Sequence, residues 1–285
     1  MYKKLGLTLH FKFGKILKEF YKKKRNEKLK ILVIGDLVGE GAVEYLLKEL
    51  PKIKKEENIN FVIVNAENAA GGFGLTTKLY NDISKMGVDV ITMGNHTWAK
   101  RDIFTFIENK NIVRPANYSE NLPGHGYTII EKDNKKVCVI NLIGRVEMPV
   151  LSDNAMLKVN KILEEVKGKA DIIMVDFHAE ATGEKLAMGY YLNGRVTGVY
   201  GTHSHVQTSD ECILDKGTGY ITDIGMTGPI KSVLGMDINV SIRRSETTLP
   251  EKYKLATGPC KMEGCIFEIN DENCRVINIR RIRRK

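Results

Sequence analysis

The sequence predicts an α/β layered fold. Three observations carry that expectation. First, short continuous apolar runs recur at 31–34, 61–64 and 90–93, each of a kind expected for a strand buried on both faces. Second, segments with helical apolar spacing separate them, at 42–57 and 76–86. Third, small polar residues able to bind ligands stand directly after the runs. This is where open α/β sheets place their chemistry.

In chain order, Ile31, Leu32, Val33 and Ile34 form the first strand, which ends in Gly35 and Asp36. Val43, Leu46, Leu47, Leu50 and Ile53 mark a helix over 42–57, which Pro51 is expected to kink or divide. The run 61–64 is followed by Asn65, Ala66, Glu67 and Asn68, then by a loop rich in glycine. A helix over 76–86 ends at Gly87, a residue suited to the left-handed position after a helix. The third strand, 90–93, leads into Gly94, Asn95, His96, Thr97 and Trp98. Asp102 is expected to cap a helix over 103–108. The second half continues with strands at 136–142, 172–177, 196–200, 219–222, 265–269 and 276–282, and a helix at 156–167. Less helix separates these strands, so part of this half is expected to be antiparallel. The stretch 225–253 has glycine and proline but little periodicity, and reads as an irregular substrate-side lid. No repeat and no linker with a shift in composition divides the chain, so one domain is expected over 30–285.

Composition narrows the function classes. The chain has 285 residues, 42% of them hydrophobic, and no apolar run approaches the length needed to cross a bilayer. The net charge of +9 is misleading, because residues 1–30 hold eleven Lys/Arg against two acids, while the remainder carries 33 of each sign. The body is therefore not a general binder of polyanions. Residues 1–29 read as a basic, loosely ordered extension or a short amphipathic helix, with anionic lipid or RNA as its candidate partners. Lysines interrupt its apolar residues, which argues against a secretory signal. Five cysteines without Cys-x-x-Cys spacing suit reduced thiols in the cytoplasm.

The strand ends collect a set of metal-ligand types: Asp36, Glu67 with Asn68, Asn95 with His96, His178, and His203 with His205. Four of the six histidines fall there. A spacing of two in an extended segment would point His203 and His205 to one side. Carboxylate, amide oxygen and imidazole, without thiolate, suit manganese, iron or zinc. The number of donors fits two ions better than one, and two ions need a bridging carboxylate, for which Glu67 is placed.

These residues resemble the calcineurin-like metallophosphoesterases, and more narrowly their YmdB-like branch of 2′,3′-cyclic-nucleotide phosphodiesterases. The resemblance lies in Gly35-Asp36, Asn65-Ala66-Glu67-Asn68, Gly94-Asn95-His96-Thr97-Trp98, Arg114-Pro115-Ala116-Asn117, Asp176-Phe177-His178, Gly201-Thr202-His203-Ser204-His205 and Asp223-Ile224-Gly225. It spans about residues 30–284. The wider family has histidine where this chain has Val38, and aspartate where it has Glu67. Both departures belong to the narrower branch.

The resemblance implies a two-sheet α/β/β/α sandwich and two divalent or trivalent ions, iron or manganese before zinc. One ion would be held by Asp36, Glu67, Asn68 and His205, the other by Glu67, Asn95, His178 and His203. A metal-held hydroxide would attack phosphorus, and His96 would be the catalytic acid for the leaving ribose oxygen. The implied substrate is a small phosphodiester or cyclic nucleotide, with RNA as a further candidate. A homo-oligomer is compatible with the chain. The competing reading is a regulatory scaffold that binds RNA or membrane and keeps a structural metal site.

Overall fold

The computed structural model describes residues 28–285. Most of the basic extension expected over 1–29, with its lipid and RNA readings, therefore lies outside the described residues. The first strand, β1, spans Lys28–Ile34. It is followed by β2 (Asp36–Leu37), helix α1 (Glu40–Glu57), β3 (Phe61–Asn65), helix α2 (Thr77–Lys85), β4 (Val90–Thr92) and β5 (Ile112–Val113). The second half holds β6 (Tyr127–Lys132), β7 (Lys135–Ile143), helix α3 (Ala155–Val166), β8 (Ile172–His178), helix α4 (Thr182–Leu192) and β9 (Gly198–Thr202). The chain ends with β10 (Cys212–Ile213), β11 (Gly219–Ile221), β12 (Met226–Pro229), helix α5 (Ile238–Thr247), β13 (Cys260–Asn270) and β14 (Val276–Arg284).

Two sheets result. The first runs β2-β12-β13-β1-β3-β4-β5, with β14 paired to β13; the second runs β10-β11-β9-β8-β7-β6. In the first, β1, β3, β4 and β5 are parallel, and β13 is antiparallel to β1, β12 and β14. In the second, β7, β8, β9 and β11 are parallel, and the edge strands β6 and β10 are antiparallel.

Alternation along each strand builds an α/β/β/α sandwich. In β1, Leu32 and Ile34 face an apolar layer shared with Leu46, Leu50 and Ile53 of α1. Ile31 and Val33 point the other way, into a layer between the sheets that also holds Val137, Val139, Met174 and Tyr200. In β7, Cys138 and Ile140 join Val159 and Ile162 of α3 and Met188 and Leu192 of α4. Each central strand thus feeds two cores, which is why its sequence reads as an unbroken apolar run.

Several local expectations need correction. Pro51 does not divide α1, which runs continuously for 18 residues. The burial of Leu46, Leu50 and Ile53 against the sheet outweighs the one lost helical bond. Asp102 lies inside a 3-10 turn, Arg101–Thr105, rather than at the cap of an α-helix over 103–108. Asp102 instead accepts the Thr77 N–H at the start of α2, 3.2 Å away. Only part of 225–253 is irregular, because it contains β12 and α5. His203 and His205 lie beyond the end of β9 and are not extended; their φ angles are 96° and 61°.

Candidate metal centre

The polar residues singled out in the sequence meet where the C-terminal ends of strands from both sheets converge. Asp36 follows β1, Glu67 and Asn68 follow β3, and Asn95 and His96 follow β4. His178 is the last residue of β8, and His203 and His205 follow β9. Gly35 lets the chain approach closely here, since a Cβ at that position would lie 2.1 Å from the Gly225 carbonyl oxygen.

Glu67 is the meeting point of the cluster and is fully buried. Its Oε2 accepts the backbone N–H of His96 at 2.9 Å. Its Oε1 lies 3.1 Å from His178 Nε2 and 3.1 Å from Asn68 Nδ2. Around His178 Nε2 stand Asn95 Oδ1 at 2.9 Å and His203 Nδ1 at 3.1 Å. On the other side of Glu67, Asn68 Nδ2 is 3.2 Å from His205 Nε2, which is 3.9 Å from Asp36 Oδ1. The residues therefore gather as two groups that share Glu67. Exchanging the Asn68 amide oxygen and nitrogen within the same volume would present an oxygen to this group.

The histidines are held from behind, so that each turns a defined nitrogen inward. His178 Nδ1 is 2.8 Å from Thr202 Oγ1, and that hydroxyl donates to Asp176 Oδ1 at 2.7 Å. Since the one hydroxyl proton goes to Asp176, Thr202 accepts from His178 Nδ1, and Nε2 is left for the centre. Glu180 Oε2 lies 3.2 Å from His203 Nε2, and Leu234 O lies 3.0 Å from His205 Nδ1. Outer partners of this kind set the orientation and basicity of metal-binding imidazoles. Their roles were not read from the sequence. A signal existed for Asp176, which stands two residues before His178 on one strand and so shares its face.

Burial and neighbouring groups shift these donors in different directions. Burial pushes the Asp36 carboxyl up, and nearby His205 and His178 only partly oppose this. Burial alone would also raise Glu67, but His178 and the His96 N–H hold it below the usual carboxylate range. Burial works against charge on His178, yet the facing Glu67 carboxylate lifts it above the ordinary imidazole range. Burial, followed by the neighbouring His178, pushes His203 down to about 3. Burial likewise lowers His96.

Three observations fit a metal at this place. Asp36 Oδ1 is buried without a hydrogen-bond partner. Donor atoms of Glu67, His178 and His203 all lie within 4.8 Å of one another. Gly94 leaves the space between them open: a Cβ there would stand 2.3 Å from Glu67 Oε2 and 2.4 Å from His178 Nε2. The donors are oxygen and nitrogen only. The five cysteines are free, and Cys138 and Cys265 belong to the apolar cores.

The centre opens into a cleft of about 460 Å³. His96 lines it beside Phe73, Tyr253 and, from α5, Arg244. Arg244 is the cleft's arginine, and it carries no motif that would have announced it. Arg114 donates to the carbonyls of Pro115, Leu122 and Pro123. Arg195 donates to Asn160 and lies over the Tyr191 ring, and Arg145 is exposed.

The sequence model of the YmdB-like protein family matches residues 32–282. The chain is 46% identical over 255 residues to a 2′,3′-cyclic-nucleotide 2′-phosphodiesterase of Bacillus subtilis (strain 168), covering 89% of this chain and 96% of the relative. Among solved structures it is similar to a phosphatase from Mycoplasma pneumoniae, with a TM-score of 0.85 and 34% identity over 90% of this chain and 93% of that one. A hypothetical protein from Thermus thermophilus gives the same TM-score of 0.85 and 34% identity, covering 90% of this chain and 99% of that one. Family match, length coverage and fold agree, and the chain belongs to the YmdB-like protein family.

Proposed function

We propose that this chain opens 2′,3′-cyclic nucleotides or related phosphodiesters with the help of two metal ions, iron or manganese. The observation that carries this reading is the convergence of buried oxygen and nitrogen donors on the space that Gly94 leaves open. The name of the Bacillus subtilis relative supports the ester class. Asp36, Glu67, Asn68 and His205 would hold one ion; Glu67, Asn95, His178 and His203 would hold the other. Bound there, such ions supply Lewis acidity toward phosphoryl oxygens and lower the pKa of water.

The remaining steps belong to side chains. Asn95 Nδ2 lies 3.1 Å from His96 Nε2 and positions the imidazole beside the centre. Charged as imidazolium, His96 would give one proton to the leaving ribose oxygen and end as the neutral ring. The Phe73 ring, edge-on to His96 at 4.9 Å between centroids, limits how far the imidazole can swing. The five free cysteines support a reducing compartment, the cytoplasm.

The test pairs metal content with turnover of 2′,3′-cyclic nucleotides, RNA and p-nitrophenyl esters. Glu67→Ala is expected to lose both ions and all activity, because both groups of donors share that carboxylate. Full metal occupancy in Glu67→Ala would refute the shared role. Metal-loaded wild type that turns over no cyclic nucleotide would favour the scaffold reading. That reading rests on the eleven basic residues of 1–30, and a chain starting at Lys28 would separate it by RNA and liposome binding.

A further inference from the structure

The metal-binding residues occupy only the floor of the cleft, and its outer wall is built from a different kind of side chain. Beyond His96 the lining continues as an aromatic series. Phe73 meets His96 edge-on at 4.9 Å, and the Tyr253 ring lies 5.9 Å from Phe73. The Arg244 guanidinium sits 4.0 Å from the centroid of the Tyr253 ring and also donates to the Glu251 carbonyl. Val233, Leu234 and Met236 extend the wall with apolar surface. Arg244 is the one Lys or Arg among the described residues that line the cleft. Stacked on Tyr253 and tied to Glu251, it fixes the ring. Such a wall suits a flat, polarisable group better than a second phosphate.

The order of the residues matters. His96 is the acid for a ribose oxygen, and in a 2′,3′-cyclic ester the carbon bearing the 2′-oxygen adjoins the carbon that carries the base. With the 2′-oxygen as leaving group, the base would stand about three bonds from the acid (O2′–C2′–C1′–N), within reach of the Phe73 and Tyr253 rings that follow His96 along the wall. The cleft, about 460 Å³, lies within the range of small-ligand pockets.

We propose that Phe73 and Tyr253, with Arg244 holding the latter, form a nucleobase subsite beside the metal centre. This rests on the phosphodiesterase reading above. Base-bearing phosphodiesters are then the substrates, in preference to simple phosphate esters. Stacking reads the π-face of a base rather than its edges, so purines and pyrimidines are both accepted.

Two measurements on the metal-loaded full chain test the subsite. The first compares kcat/KM for 2′,3′-cyclic AMP and for methyl riboside 2′,3′-cyclic phosphate, which has the same ester and no base. Wild type is expected to prefer the nucleotide. Tyr253→Ala should shrink that preference about tenfold, through KM, as expected for loss of one base–aromatic stack. Phe73→Leu, which keeps apolar bulk, should shrink it less, and Tyr253→Phe should keep it. A preference left unchanged by both Tyr253→Ala and Phe73→Leu overturns the proposal. The second measures calorimetric binding of 3′-AMP and of ribose 3-phosphate, which needs no turnover. Equal affinity of wild type for the two overturns the subsite. Base-dependent binding without hydrolysis of either cyclic ester supports the subsite and defeats the phosphodiesterase reading instead.

Discussion

The floor and the wall of the cleft obey different physics. On the floor, Glu67 and His178 are fully buried, and His178, His203 and His205 are tied from behind. On the wall, Tyr253 is 48% exposed, Leu234 46% and Val233 43%. Burying charged donors is costly, and the cost is met only where partners and a cation complete them. The floor accepts that cost because chemistry needs donors held to fractions of an ångström. The wall only has to offer surface, so it can stay half in water. Leu234 joins the two regions, since its carbonyl orients His205 while its side chain lines the cleft.

The floor is expected to be most sensitive at Gly94. A Gly94→Ala methyl would occupy the space between Glu67 Oε2 and His178 Nε2, so metal content and turnover are expected to vanish together. Metal-loaded, active Gly94→Ala would show that the floor yields to a methyl group. Next comes His96→Ala, which should lower kcat about 10²–10⁴-fold, the usual contribution of a general acid, while metal content stays near wild type. Loss of the ions in that variant would move His96 from the leaving group to the metal sites.

A smaller effect is expected one step behind the floor. Thr202→Val keeps the shape of the side chain and removes the hydroxyl between His178 and Asp176. Metal affinity should fall about 10–100-fold, as for other partners of metal-bound histidines. Competition with a chelator measures it, and unchanged affinity would mean that packing alone orients His178. The wall sets the smallest scale, about tenfold in base preference for Tyr253→Ala.

Much of this arrangement was legible in the amino-acid order. The runs at 31–34, 61–64 and 90–93 became β1, β3 and β4 within a residue or a few, because strands buried on both faces leave an unbroken apolar signature. The helices α1 and α2 followed from apolar spacing. By contrast α4 and α5 passed unread. Helix α5 is mostly polar, and Val240 is its one buried residue, so no apolar stripe announces it. The spacing of His203 and His205 suggested an extended pair, and the positive φ of both is imposed by the turn out of β9. There, Asp223 Oδ2 accepts the Ser204 backbone N–H at 3.2 Å and its hydroxyl at 2.8 Å, and pairs with buried Lys185 of α4.

Residue type and strand periodicity are local properties, so the donor atoms of this protein and the strands that deliver them can be read from the amino-acid order. Which nitrogen of each histidine faces the centre depends instead on contacts made in the folded chain. Thr202, Glu180 and Leu234 make that choice, and each comes from a part of the chain remote from, or turned back upon, the histidine it holds. A hydrogen bond across 29 residues, such as that between Leu234 and His205, leaves no trace in spacing. The same holds for the wall, where Phe73 and Tyr253 are far apart in the chain and stand 5.9 Å from each other in the fold.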